Sequence, residues 1–306
     1  MCFIFAYIKK NHYLCGAKAI ANEKQATRTD MKIGVFDSGY GGLTILNQIR
    51  QQLPDYDYIY LGDNARTPYG TRSFEVIYEY TLQAVRYLQS HGCRLIILAC
   101  NTASAKALRT IQQHDIDPDT LRVLGVIRPT VERLSTEAMQ GGNQSLHVGI
   151  LATPGTVSSQ SYVIELNKQN PALVITQQAC PMWVPIIEAG EHTSEGADYF
   201  VDKYIHEILD KDPQIDTLIL GCTHYPLLLP KIRKALQGRS IRVIEQGDIV
   251  AKALQEYLGR HNEIERELSR GSSCTFLTTE SEDKFQGSAS IFLDEPVRAK
   301  HVELAK

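Results

Sequence analysis

The chain has 306 residues, 43% of them hydrophobic, and a net charge of −3. That length suits two domains with a sizeable core, and that charge excludes a general attraction to nucleic acid or anionic membranes. No apolar run approaches the roughly 20 residues of a membrane-spanning helix, and the seven cysteines are widely spaced with no C-x-x-C pair, which argues against a disulfide framework or zinc ribbon and for a reducing, cytoplasmic setting.

Residues 1–30 begin with apolar "CFIFAY", but Lys9 and Lys10 follow it, whereas a signal peptide has its charge first and a longer apolar core. The polar "ANEKQATRTD" reads as a disordered lead. We therefore expect 1–30 to be a disordered or misassigned extension and the fold to start near Met31. "KIGVFDS" (32–38) is a short buried strand, closed by Gly39, Gly41 and Gly42 and followed by a helix to Arg50. "YDYIYLGD" (56–63) is a second strand, 73–92 has helical apolar spacing, and "RLIILAC" (94–100) is a third strand. A helix to Ile111 and "LRVLGVI" (121–127) follow. This alternation predicts a parallel sheet with helices on its faces.

The pattern then restarts. "LHVGILAT" (146–153) matches "MKIGVFDS" (31–38), with Gly149 for Gly34 and Thr153 for Ser38. "ALVITQQAC" (172–180) is a strand, 195–211 a helix, and "DTLILGC" (216–222) parallels 94–100. "SIRVIEQG" (240–247), a helix to Tyr257 and "CTFLTT" (274–279) complete the chain. The expected architecture is α/β, two pseudo-symmetric lobes of parallel sheet flanked by helices with the active site in the cleft between them. The expected division is 31–127 plus 232–290 for the first lobe, 128–231 for the second, and a tail at 291–306.

In open parallel sheets the ligand crevice lies at the carboxyl ends of the strands. Asp37, Ser38, Cys100 and Cys222 all stand at such ends, so two facing lobes would bring one thiol to each side of a shared cleft. A lone cysteine at a strand end is ordinarily a small buried hydrophobe, and Cys93, Cys180 and Cys274 take that reading. The repeated tips Ala99-Cys100-Asn101-Thr102 and Gly221-Cys222-Thr223-His224 do not. Each is expected to open a helix, whose free N–H groups favour a thiolate or, with Asn101, Thr102 and Thr223, a carboxylate.

Rival readings are weaker. Cys222 and His224 find no second compact Cys/His pair for zinc. A disulfide would need the sulfurs in bonding distance, which a substrate-wide cleft denies. Acyl transfer leaves one thiol unexplained. A dinucleotide loop at Gly39-Tyr40-Gly41-Gly42 would need glycine where Thr44 stands, although Asp63 would suit a ribose. Inversion of a carbon centre needs a base on one face and an acid on the other, and two opposed thiols supply both without a cofactor. A non-catalytic two-lobed binding protein for a small acid stays open.

These segments together are those of a known family. "GVFDSGYGGL" (34–43), "YLGDNARTPYG" (60–70), "ILACNTAS" (97–104), "GILATPGT" (149–156), "QACPMWVPIIEAG" (178–190) and "GCTHYP" (221–226) resemble the cofactor-independent aspartate/glutamate racemase family over nearly all of 31–285. "DNARTPYG" points to its glutamate racemases rather than its aspartate racemases. The resemblance implies two flavodoxin-like lobes, no cofactor, and Cys100 and Cys222 as the proton carriers. It puts Asp37 beside Cys100 and His224 beside Cys222, with Glu188 as a further helper. Asp37, Ser38, Tyr69, Gly70, Asn101, Thr102, Thr223 and His224 would line the substrate, glutamate. It also implies a homodimer, a cytoplasmic enzyme and D-glutamate for peptidoglycan. "VIEQGDIVA" (243–251) and "FLTTESEDKF" (276–285) follow the family loosely. Arg66 is expected to face the cleft with its loop, Trp183 to pack in the core, and His91, His147 and His206 to have no role.

Overall fold

Short aliphatic strands buried on both faces and amphipathic helices cover each other only as a layered α/β stack, and the computed structural model has that form. It describes residues 31–140, 146–293 and 295–305; the expectation for 1–30 lies outside the described residues. The strands are β1 Lys32–Asp37, β2 Tyr58–Gly62, β3 Cys93–Leu98, β4 Arg122–Gly125, β5 His147–Ala152, β6 Val174–Ala179, β7 Thr217–Gly221, β8 Arg242–Ile244, β9 Cys274–Thr278 and β10 Ala299–His301. All named pairings are parallel.

One sheet runs β10-β9-β2-β1-β3-β4 and the other β6-β5-β7-β8. Without β9 and β10, the first order is β2-β1-β3-β4, the same as the second with each number raised by four. The repeated sequence pattern is thus a repeated topology of the doubly wound, flavodoxin-like kind. Gly34 and Gly149, paired by the repeat, share a packing reason. A Cβ on Gly34 would press on Leu88 and Cys93 at 3.2 and 3.1 Å, and one on Gly149 would meet Leu218 at 2.5 Å. Each lies where a neighbouring strand or covering helix comes close to its own.

Three departures from the sequence reading have physical causes. β8 lies inside the span 232–290 expected for the first lobe, yet it pairs with β7 through Thr217↔Arg242 and Ile219↔Ile244. It stands to β7 as β4 stands to β3, and the return to the first lobe begins only with helix Gly247–Arg260, which packs on helix Gly42–Gln52. β10 lies in the expected tail and extends the first sheet beside β9; three residues with two exposed leave no periodicity to read. The run 121–127 stops as a strand at Gly125, and helix Ile127–Gln140 begins within it, with Pro129 tolerated in the first turn.

One face of each sheet contributes to a continuous core that includes Val35, Leu46, Leu95, Leu218, Leu220 and Tyr225. Trp183 belongs to it, fully buried, as expected. The core holds the carboxyl ends of β1, β3, β5 and β7 around one cleft.

Candidate active site

Four strand ends bring thiol and hydroxyl side chains to the cleft. Ser38 follows β1, Cys100 follows β3, Thr153 follows β5 and Cys222 follows β7. A single cavity is walled by Ser38, Tyr69, Gly70, Cys100, Asn101, Thr102, Thr223, His224 and Cys222. Thr67, Thr153, Cys180 and Pro185 also stand in its wall. Both thiols are buried, 5% and 6% exposed.

Cys100 caps helix Asn101–Lys106, its sulfur accepting from the Ala103 amide at 3.5 Å. The Ser38 hydroxyl lies 3.2 Å from the same sulfur. Burial, with the Asp37 charge adding to it, pushes the Cys100 thiol up to about 12, against the hydrogen bonds from Ser38 and Ala103. Cys100 therefore holds its proton firmly. Asp37 is wholly buried and accepts from the Gly39 amide at 2.9 Å. Burial raises its carboxyl above the ordinary range, with the nearby His224 pulling the other way. Asp37 stands behind the cavity wall rather than in it.

The Cys222 side differs. The polar residues after this thiol form no helix directly; a 3-10 turn, Tyr225–Leu228, comes first and helix Leu229–Ala235 only later. Cys222 is thus not an α-helix cap, contrary to the expectation, because Pro226 in the turn supplies no N–H. Its partner is a side chain. His224 Nδ1 lies 3.8 Å from the sulfur and Nε2 lies 3.0 Å from Glu188 Oε1. Burial penalises the imidazolium, but the hydrogen bonds and charges of Cys222 and Glu188 outweigh it and raise His224 well above its ordinary value. His224 thus keeps a proton beside Cys222. Thr67 donates to the same Glu188 oxygen at 3.3 Å, and the Phe292 ring meets the imidazole edge-on. Glu188 lies behind His224, outside the cavity wall.

The loop after β1 must pass close to this pair. A Cβ on Gly41 would fall 2.4 Å from both His224 Nδ1 and Thr223 Oγ1, so only glycine lets the backbone by. The 67–71 stretch lines the cleft as expected, but Arg66 does not. Its guanidinium is drawn to Asp63 at 2.7 Å, to Gln83 at 2.6 Å and over the Tyr80 ring. Asp63 also takes the Tyr69 hydroxyl and, at 2.9 Å, that of Thr279. It has no oxygen left for a ribose, and Tyr69 brings ring and backbone to the cleft, not its hydroxyl.

The sequence reading passed over Thr67, Thr153 and the wall position of Cys180. For Thr153 the signal was present, since the repeat sets it opposite Ser38; it bonds Thr102 Oγ1 at 3.0 Å across the lobes. Among the described residues no three His, Cys, Asp or Glu side chains converge as metal ligands.

Comparison with known proteins places most of the chain. Residues 33–254 match the family described as Asp/Glu/Hydantoin racemase. The glutamate racemase of Paracoccus denitrificans is 42% identical over 274 residues, 88% of this chain and 98% of that protein. The crystal structure of a glutamate racemase isoform from Bacillus anthracis superposes with a TM-score of 0.79 at 32% identity, covering 90% of this chain and 98% of the other. A Francisella tularensis glutamate racemase, in complex with D-glutamate, gives a TM-score of 0.77 at 31% identity, covering 91% and 98%.

Proposed function

The chain belongs to the Asp/Glu/hydantoin racemase family and is an amino-acid racemase; from that premise we propose that it interconverts L- and D-glutamate by proton transfer between two cysteines. The observation that supports this reading most is the pair of buried thiols, Cys100 and Cys222, in opposite lobes and in the wall of one cavity. The relatives named above are glutamate racemases, one of them crystallised with D-glutamate.

Glutamate would sit with its α-carbon between the sulfurs and its carboxylates toward Asn101, Thr102, Thr153 and Thr223. One thiolate removes the α-proton, and the opposite thiol returns a proton to the other face. Cys100, with its high proton affinity, is suited to donate. To act as base it must first lose its proton, which the α-ammonium group of a bound substrate would favour. Asp37 sets the charge at Cys100; His224, held by Glu188, holds a proton at Cys222. Substrate positioning and general acid–base help each lower the barrier.

Incubation with L-glutamate in D₂O tests the reading. Product D-glutamate should carry deuterium at the α-carbon while substrate recovered early stays largely protiated. A binding protein would leave the α-hydrogen untouched, and that result would end the proposal. Growth of a D-glutamate auxotroph on this chain would test the further proposal that its product feeds peptidoglycan synthesis. The described cysteines are all free, in keeping with work in the cytoplasm, and no described helix is long and apolar enough to cross a membrane. The enzyme is proposed to act as a homodimer, which light scattering would check.

A further inference from the structure

Beside Cys100, the Asn101 side chain belongs to a closed ring of buried hydrogen bonds. Its Nδ2 donates to Gln246 Oε1 at 2.6 Å, and its Oδ1 accepts from the Tyr162 hydroxyl at 2.7 Å. The two N–H groups of Gln246 Nε2 face the Tyr162 oxygen at 2.8 Å and Thr130 Oγ1 at 2.8 Å, with the Val126 carbonyl at 3.3 Å as a third, shared acceptor. Asn101, Gln246, Tyr162 and Thr130 are each at most 3% exposed.

The ring has one consistent direction. A backbone carbonyl only accepts, and Val126 takes the Thr130 hydroxyl at 2.9 Å, so Thr130 has no hydrogen left and can only accept from Gln246, which must present its nitrogen on that side. Gln246 then turns its oxygen to Asn101, which must present its nitrogen in return. Tyr162 accepts from Gln246 and spends its single hydrogen on Asn101 Oδ1. Asn101 is left with one uncommitted N–H, and Asn101 is a wall of the cleft. A carboxylate accepts such a donor; a flipped amide would offer it an oxygen instead, at a cost in repulsion and desolvation.

The ring also joins both crossings between the lobes. Val126 and Thr130 lie where the chain leaves β4 for the second lobe, and Gln246 lies where it leaves β8 to return. Tyr162 belongs to the second-lobe helix Ser161–Gln169. We propose that Gln246 is a positioning residue: with Tyr162 it fixes the Asn101 amide as a donor to a carboxylate of the substrate, and ties that donor to the relative placement of the lobes. The inference rests on glutamate being the substrate.

Steady-state kinetics of Gln246→Met and Tyr162→Phe test it. Loss of one donor to a charged group corresponds to about a tenfold rise in KM, with kcat within about threefold of wild type. A merely structural role would lower the active fraction and so kcat, leaving KM alone. With Asn101→Ala already in place, either change should add little further to KM, since the donor it orients is gone. Unchanged KM in both variants, or KM effects that multiply with Asn101→Ala, would overturn this inference alone. Absence of glutamate turnover by the wild type would overturn it together with the proposed function. Tyr162→Phe removes only a hydroxyl, so it decides the matter even if Gln246→Met fails to fold.

Discussion

Cys100 and Cys222 leave β3 and β7, strands with the same place in their sheets, yet they meet different ionisable neighbours. Beside Cys100 the helper is an acid, Asp37, at the end of β1. The repeat puts Ala152 at the matching place in β5, so the second unit has no such carboxylate. Beside Cys222 the helper is a protonated base, His224, two residues after the thiol; the matching residue in the first unit is Thr102. Duplication thus supplies the scaffold, and each half-site draws its one ionisable helper from a different strand end. One thiol is made to keep its proton, and the other has a proton delivered next to it. In the proposed mechanism one face is base and the other acid at any moment, and the two exchange roles with the direction of reaction, so each helper would act on its own thiol in a different half of the cycle.

The comparison breaks most severely if a thiol is removed. Cys100→Ala and Cys222→Ala should each lower racemisation in both directions by about 10²–10⁴-fold or more, because inversion uses both faces. Thermal unfolding should show that the fold survives, since a small side chain replaces a small one. Cys93→Ala, which changes a buried thiol remote from the cavity wall, should leave turnover nearly unaltered. Substantial activity in either Cys100→Ala or Cys222→Ala would show that one sulfur suffices, and the two-thiol reading would fall.

Changing the helpers sharpens the comparison. L- and D-glutamate are mirror images, so their equilibrium constant is one and kcat/KM must be equal in the two directions for every variant. Unequal half-sites therefore show in isotope effects rather than in rates. His224→Asn should lower kcat/KM by about 10²-fold and make proton removal at Cys222 the slow step. If Cys222 serves L-glutamate, the primary effect with α-deuterated L-glutamate should rise and that with D-glutamate should fall. Asp37→Asn should do the reverse through Cys100. Matching isotope patterns in the two variants would mean that neither helper belongs to one thiol.

Much of this was legible before any coordinates. β1, β2, β3, β5 and β7 are buried parallel strands and read as apolar runs between turn residues, and the repeat of 31–38 at 146–153 announced the second unit. Asp37, Ser38, Cys100 and Cys222 were placed by their position at strand ends, and the family resemblance put His224 beside Cys222 and named Glu188 as a further helper; that Glu188 stands against His224 came only with the fold. What was hidden depends on contacts between distant segments. Arg66 looked available until Asp63, Gln83 and Tyr80 claimed it. Thr223-His224-Tyr225-Pro226 looked like a helix start, but proline turns it into a 3-10 segment. β8 could be given to its proper sheet only by its pairing with β7. Gln246 had no local signal, because its role is made of partners more than 80 residues away.

The smallest effect expected is one of stability, and it isolates the Cys222 side. Glu188 helps to raise His224 above its ordinary value. A histidine raised in the fold binds its proton more tightly there than in the unfolded chain. The stabilisation is fully present below the unfolded value of about 6.5 and is lost as pH rises through the folded value. Between those limits the folded state holds up to one proton more, so wild-type stability should fall with pH by as much as about 1.4 kcal/mol per unit. Glu188→Gln keeps the shape and removes the countercharge, so His224 should come down, with only Cys222 left to oppose burial. Urea unfolding from about pH 6.5 upward should then give a wild-type curve that declines and a flatter variant curve, the two drawing together at high pH. Asp37 is also raised by burial, but its unfolded value of 3.8 sets a window that opens at lower pH, and it is present in both proteins, so the difference between the curves reports chiefly on His224. Parallel curves would show that Glu188 does not hold the proton at His224, and the contrast between an acid-assisted and a base-assisted thiol would lose its second half.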